Sequence, residues 1–184
     1  MPELIIIAGA NGSGKTTFAK MLIEETKYDF LNADEIAKEI EEGNARLKAG
    51  RIFFENLESW ISESKNFILE STLSGNYLLK VIEKVKKAEY SITILYVFLE
   101  NPDSCIERID GRVKKGGHFV PNEDVIRRYY RSKENFWNIY KMQADKWFIY
   151  FNGLQDTQRV ALGKKNDFIV ENNELFEEFL KDIK

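Results

Sequence analysis

Apolar positions along the chain alternate between short continuous runs and helical spacing. Leu4–Ala8 is an unbroken, mostly β-branched run, as a strand buried on both faces should be. The pattern then predicts a helix over Lys15–Glu25, a short strand over Tyr28–Asn32, and a helix over Asp34–Glu42 that Gly43 stops. A longer helix is expected over Ala49–Ser64, with Ile52, Phe53, Leu57, Trp60 and Ile61 on one face. Asn66–Glu70 reads as a third strand. Asn76–Lys87 reads as a helix with Leu78, Leu79, Ile82 and Val85 inward, and Ser91–Leu99 as the strongest strand of the chain. Helices over Pro102–Lys114 and Asn122–Gln143 precede a fifth strand at Lys146–Phe151. Arg159–Leu162 and Asp167–Val170 flank a hairpin turn at 163–166, and a last helix covers Glu174–Lys184. Strands alternating with helices imply an α/β fold, a mostly parallel sheet of about five strands with helices on both faces.

Composition narrows this without changing it. A length of 184 residues fits a single domain, 1–184. A net charge of −3 gives no sign of a nucleic-acid partner or an acidic membrane surface. The lone cysteine, Cys105, has no internal disulfide partner, which points to a reducing cytoplasmic setting. The amino-terminal segment lacks a basic region before its apolar run and reads as a strand, not a signal peptide. No stretch approaches the ~18 apolar residues that span a membrane.

The strongest chemical signal is Gly9-Ala10-Asn11-Gly12-Ser13-Gly14-Lys15-Thr16, followed by Thr17, a full match to G-x-x-x-x-G-K-[ST]. Glycines let the backbone turn its N–H groups inward as an anion nest at a helix N-terminus. Lys15 can reach the β- and γ-phosphates of ATP, preferred here over GTP, and the Thr16 hydroxyl can hold Mg²⁺. A chance match is expected in roughly 0.6% of chains this long at ordinary residue usage. The strand before the motif and the helix after it favour a P-loop NTPase fold.

Ligands of open parallel sheets sit beyond the carboxyl ends of the strands. Asp34 and Glu70 fall at those ends, where one carboxylate can deprotonate an acceptor hydroxyl and the other can orient the acceptor or a Mg²⁺-bound water. The plainer alternatives are a helix N-cap for Asp34 and a solvated strand end for Glu70; Glu100 can cap the helix opened by Pro102. Further on, Arg108, Arg112, Arg127 and Arg128 flank Gly116-Gly117-His118, the only histidine. A hinged lid over 108–131 that brings arginines onto a transferring phosphoryl is the functional reading, and a solvated basic helix is the alternative. Thr72-Leu73-Ser74-Gly75 is similar to the signature loop of ABC ATPases, but it follows the P-loop too closely, and no strand ending in Asp-Glu comes after it.

Together, GANGSGKTT, NADEIA, AGR, ESTLSG and RVKKGGHFVP resemble the zeta-toxin-like P-loop kinases, over residues 3 to about 153. The short bacterial branch, often labelled predicted ATPases, matches best. The resemblance implies an ATP-dependent kinase, and the long members phosphorylate the 3′-hydroxyl of UDP-N-acetylglucosamine. It implies that Asp34 is the acceptor-activating base and Lys15 the phosphate-binding lysine. Glu70 and Thr72 match an acceptor-binding pair, Arg112 falls near a lid arginine, and Arg128 is a further candidate contact to substrate. It also implies a possible antitoxin protein as partner. Ser74 stands where the long members have an arginine, and His118 about where their second lid arginine aligns. Kinase chemistry survives these departures better than the identity of the small-molecule acceptor. An ATPase acting on a protein partner and a non-catalytic nucleotide-binding module remain the alternatives.

Overall fold

The computed structural model describes residues 1–38, 40, 45–153 and 156–183, without the side chains of Asp34, Lys38, Ala45 and Arg46. Strand β1 (Glu3–Ala8) lies inside the sheet because it is apolar on both sides. Leu4, Ile6 and Ala8 enter one core, and Ile5 and Ile7 enter another. It pairs in parallel with β3 (Phe67–Ser71) and with β4 (Ser91–Phe98), so that Ile7 lies between Glu70 and Leu95. β2 (Asp29–Leu31) adds to β3, and β5 (Lys146–Asn152) adds to β4, both parallel. β6 (Thr157–Lys164) and β7 (Asp167–Val170) continue the sheet as an antiparallel hairpin, giving the order β2-β3-β1-β4-β5-β6-β7. The five parallel strands expected from the pattern are present, and the hairpin around 163–166 makes the sheet seven-stranded.

Helix α1 (Lys15–Thr26) sets Phe18, Ala19, Leu22 and Ile23 against Ile5, Ile7, Ile68 and Val97 on one face of the sheet. On the other face, α3 (Ala45–Ser62) and α4 (Tyr77–Lys87) meet α6 (Asn122–Asn138) and α7 (Asn173–Leu180) over the larger core. Phe136 stacks on Tyr96 with ring centroids 4.5 Å apart and meets Trp147 and Phe179 edge-on. α2 (Ala33–Lys38) follows β2 directly, and α5 (Pro102–Val113) follows β4. α5 and α6 share a small core of their own, with Cys105, Ile109, Val125 and Tyr129 buried against Ala10 and Leu99. The proposed lid segment is thus packed directly against the loop that leaves β1.

Two details depart from the sequence pattern, at Ile52 and at the end of the helix before Gln143, and a third falls partly outside the described residues. Ile52 is 37% exposed, because the buried stripe of α3 runs through Phe53 and Leu57, with Trp60 and Ile61 flanking it. The helix expected over Asp34–Glu42 is described only to Lys38, and the stop assigned to Gly43 lies outside the described residues. The helix expected to reach Gln143 breaks at Ile139 (φ −122°, ψ −60°), and a 3₁₀ turn over Tyr140–Met142 follows. That break buries Tyr140 and lets its hydroxyl donate to the Gly75 carbonyl at 2.7 Å.

The loop after β3 is pinned from the same direction. Leu73 is fully buried in a left-handed conformation (φ 53°), unusual for a bulky residue. Its N–H donates to Ser71 Oγ at 3.2 Å, and its carbonyl accepts from Asn135 Nδ2 at 2.6 Å. Replacing Asn135 leaves that buried carbonyl without its donor. Asn135→Ala is therefore expected to lower stability by about 1–3 kcal/mol in urea denaturation, and unchanged stability would show that α6 does not hold this loop.

Candidate active site

The chain leaving β1 turns tightly before α1. Gly12 (φ 83°) lies so close to α5 that a Cβ there would meet Cys105 O at 2.3 Å. Gly14 (φ 97°) lies against β5, where a Cβ would meet Asn152 Nδ2 at 2.1 Å. Only glycine fits this conformation and this clearance together. The loop folds onto itself through Ser13 N–H, which donates to Ala10 O at 3.3 Å, and Lys15 Nζ donates to the same carbonyl at 2.8 Å. Among the described residues, the buried Ser13 hydroxyl has no hydrogen-bond partner.

The end of β3 brings a carboxylate to this loop. Glu70 Oε2 accepts from Thr16 Oγ1 at 2.9 Å and from Asn32 Nδ2 at 2.9 Å, while Lys15 Nζ stands 3.8 Å from Oε1. Asn32, at the end of β2, also accepts from the Glu35 N–H at 3.4 Å. Asn32 is therefore the residue that caps α2. Asp34, for which an N-cap was the plainer alternative, is instead the second residue of that helix, and its side chain lies outside the described residues. Likewise Asn101, not Glu100, caps α5, accepting from Ser104 N–H at 2.8 Å, while Glu100 accepts from the Ser104 hydroxyl.

The opposite wall is basic. Arg108 Nη2 donates to the carbonyls of Asn152 (2.8 Å) and Gly153 (3.1 Å), and Arg112 Nη2 donates to His118 O at 2.7 Å. The cleft between these walls has a volume of about 800 Å³. Lys15, Lys20, Arg108, Arg112 and Lys115 line it, against Glu35 and Glu70. A chain of net charge −3 thus concentrates positive charge at one place, which suits a polyphosphate.

The structure brings together Asn11, Gly12, Gly14, Lys15, Thr16, Thr17, Glu70, Arg112 and His118 on the cleft wall. Gly9, Ala10 and Ser13 of the P-loop do not line it, and neither do Arg128 and Thr72, which were expected at the substrate. Arg128 donates to Asn11 Oδ1 at 3.1 Å and lies 3.6 Å from Asp124, so it reaches the P-loop through the Asn11 side chain. Thr72 shares a hydrogen bond with Ser74 Oγ at 2.8 Å, within the loop that Asn135 pins. Lys20, Asn32 and Glu35 join the site without having been singled out from the sequence. No group of three or more His, Cys, Asp or Glu able to hold a metal exists among the described residues. The adjacent oxygens of Thr16 and Glu70 nonetheless fit Mg²⁺, which binds through one or two protein groups, substrate phosphates and retained waters.

A family model described as Zeta toxin matches residues 1–162. An uncharacterized protein of Haemophilus influenzae is 32% identical over 130 residues, which is 69% of this chain and 92% of that protein. A cytidylate kinase of Archaeoglobus fulgidus is 25% identical over 158 residues, 79% of this chain and 81% of the kinase. Among solved structures, the AvrRxo1-ORF1:-ORF2 complex with ATP aligns with a TM-score of 0.74 at 16% identity, over 97% of this chain. The aligned region is 63% of that chain, so this protein spans less than two thirds of it. The PezAT toxin–antitoxin system of Streptococcus pneumoniae gives a TM-score of 0.71 at 18% identity, covering 98% of this chain and 79% of that one. Both structures are similar in fold.

Cys105 sits behind the P-loop and reports on its packing. Burial pushes its thiol up to about 12, with Lys15 and Arg108 opposing the shift. At pH 8 the native protein should therefore leave Cys105 unmodified by a thiol reagent, and urea should release full labelling. Rapid labelling of the native protein would contradict this packing.

Proposed function

The chain belongs to the zeta toxin family, and on that premise we propose that it transfers the γ-phosphoryl of ATP to a hydroxyl of a small molecule. The observation that carries this reading is the Glu70 carboxylate, bonded to Thr16 and Asn32 beside Lys15 on the wall of a cation-rich cleft. The residues Gly9 to Thr17 form the nest for the triphosphate, with Lys15 supplying charge at its β- and γ-groups. Bound Mg²⁺, held by the Thr16 hydroxyl, would neutralise charge on the β- and γ-oxygens.

Asp34 is proposed as the base. It follows Asn32 by two residues, and Asn32 touches Glu70, so α2 begins at the rim of the cleft. The acceptor oxygen bonds to the γ-phosphorus as the bond from that phosphorus to the β–γ bridging oxygen breaks. ADP leaves, and the acceptor proton passes to Asp34. Arg112 and His118 face this centre from the other wall, where a guanidinium stabilises charge on the transferring group. Glu70 is proposed to hold the acceptor end of the site, with Thr72 acting on it only through its bond to Ser74 and Arg128 only through Asn11 on the cleft wall. UDP-N-acetylglucosamine or another nucleotide sugar is the candidate acceptor. An antitoxin is a proposed protein partner, in line with the PezAT relative, and the cytoplasm is the proposed setting. No helix among the described residues is long and apolar enough to cross a membrane.

The test is ATP consumption with and without a metabolite extract, followed by mass analysis for gain of one phosphoryl group. Lys15→Ala should cut transfer by ~10²–10³-fold, the usual loss for one preorganised charge contact. Asp34→Asn should cut it by roughly 10²-fold or more while leaving ATP affinity and Tm nearly unchanged. Because Asn32 caps the helix, the second substitution leaves the cap intact. Full transfer by either variant would contradict the assigned roles.

A further inference from the structure

We propose that Asn152 is a positioning residue that turns the Gly14 N–H into the phosphate nest. This inference rests on the nucleotide-binding reading above and assigns a role to a side chain outside the P-loop motif. Asn152 Nδ2 donates to the Ser13 carbonyl at 2.8 Å. That carbonyl and the Gly14 N–H belong to one peptide unit, which is planar and trans, so the two groups point in opposite directions. Drawing Ser13 O outward toward β5 therefore aims Gly14 N–H inward, at the start of α1, where the helix dipole already favours an anion.

The amide is itself held in the orientation this requires. Thr157 Oγ1 donates to Asn152 Oδ1 at 3.2 Å, which fixes the oxygen on the side of β6 and leaves the nitrogen for Ser13. Arg108 Nη2 holds the Asn152 and Gly153 carbonyls at 2.8 and 3.1 Å, so the strand end carrying the amide is anchored from α5. The absent Cβ of Gly14 makes the approach possible, since that atom would lie 2.1 Å from Nδ2. The last parallel strand and the first strand of the hairpin thereby set the nest before a phosphate arrives. The ligand class that feels this orientation is a polyphosphate, whatever group the polyphosphate carries.

Calorimetric titration with ATP and with inorganic tripolyphosphate tests the assignment on wild type, Asn152→Leu, Thr157→Val and the double variant, with Tm measured for each. Asn152→Leu removes the donor without adding charge. It should weaken both ligands alike, by roughly threefold to tenfold, about the worth of one neutral hydrogen bond. Thr157→Val, at an exposed position, should weaken both by roughly twofold to threefold and add nothing in the double variant, because Thr157 acts through the amide. If Asn152→Leu does not fold, Thr157→Val decides by the same criterion. Equal binding by wild type and all folded variants overturns the positioning role and leaves the nucleotide reading intact. Loss of ATP binding with tripolyphosphate unaffected also overturns it, since the contact would then serve the nucleoside. A wild type that binds neither ligand overturns the nucleotide reading itself.

Discussion

A buried ammonium is the constraint around which the site is organised. Lys15 is only 6% exposed, and a charge taken out of water is costly unless it is paired. The fold meets this demand with the Ala10 carbonyl at 2.8 Å and the Glu70 carboxylate at 3.8 Å. Glu70 in turn accepts from Thr16 and Asn32, so one carboxylate ties together the start of α1, the end of β2 and the end of β3. Placing a strong positive charge at the nest thus requires that three elements end at one point.

Parallel pairing delivers that convergence. β1, β2, β3 and β5 run in the same direction, so their carboxyl ends share one edge and present Gly9, Asn32, Glu70 and Asn152 together. Before its carboxyl end β1 contributes apolar packing to both faces, which is why it can be a plain run of Leu4–Ala8. The α5–α6 arm closes the cleft with cations and stays attached through its own small core against Ala10 and Leu99. Arg128 on Asn11 and Arg108 on Asn152 add polar links between arm, P-loop and sheet.

Features fixed by short-range chemistry were legible in the sequence. The P-loop, the five parallel strands and the hairpin all follow from glycine placement or from apolar runs. What was not legible depends on long-range partners. Asn32 and Asp34 are equally good caps by residue type, and only the pairing of β2 with β3, which puts Asn32 on Glu70, decides between them. The end of α6 at Asn138 has no break in apolar spacing, because Tyr140 leaves the helix to reach Gly75 across the fold. Arg128 reads as one more lid cation, yet the turn of α6 directs it at Asn11. Asn152 is an ordinary strand end until its contact with Ser13, 139 residues away, is seen.

The measurement that bears most directly on phosphoryl transfer uses ATP labelled with ¹⁸O at the γ-phosphorus, incubated with the protein and a metabolite extract. Mass spectrometry then follows where the labelled phosphoryl goes. The account predicts that it appears intact on a small-molecule hydroxyl, in amounts equal to the ADP formed. Label found only in free phosphate, with no phosphorylated metabolite, would contradict transfer to an acceptor and identify the cleft as that of a hydrolase.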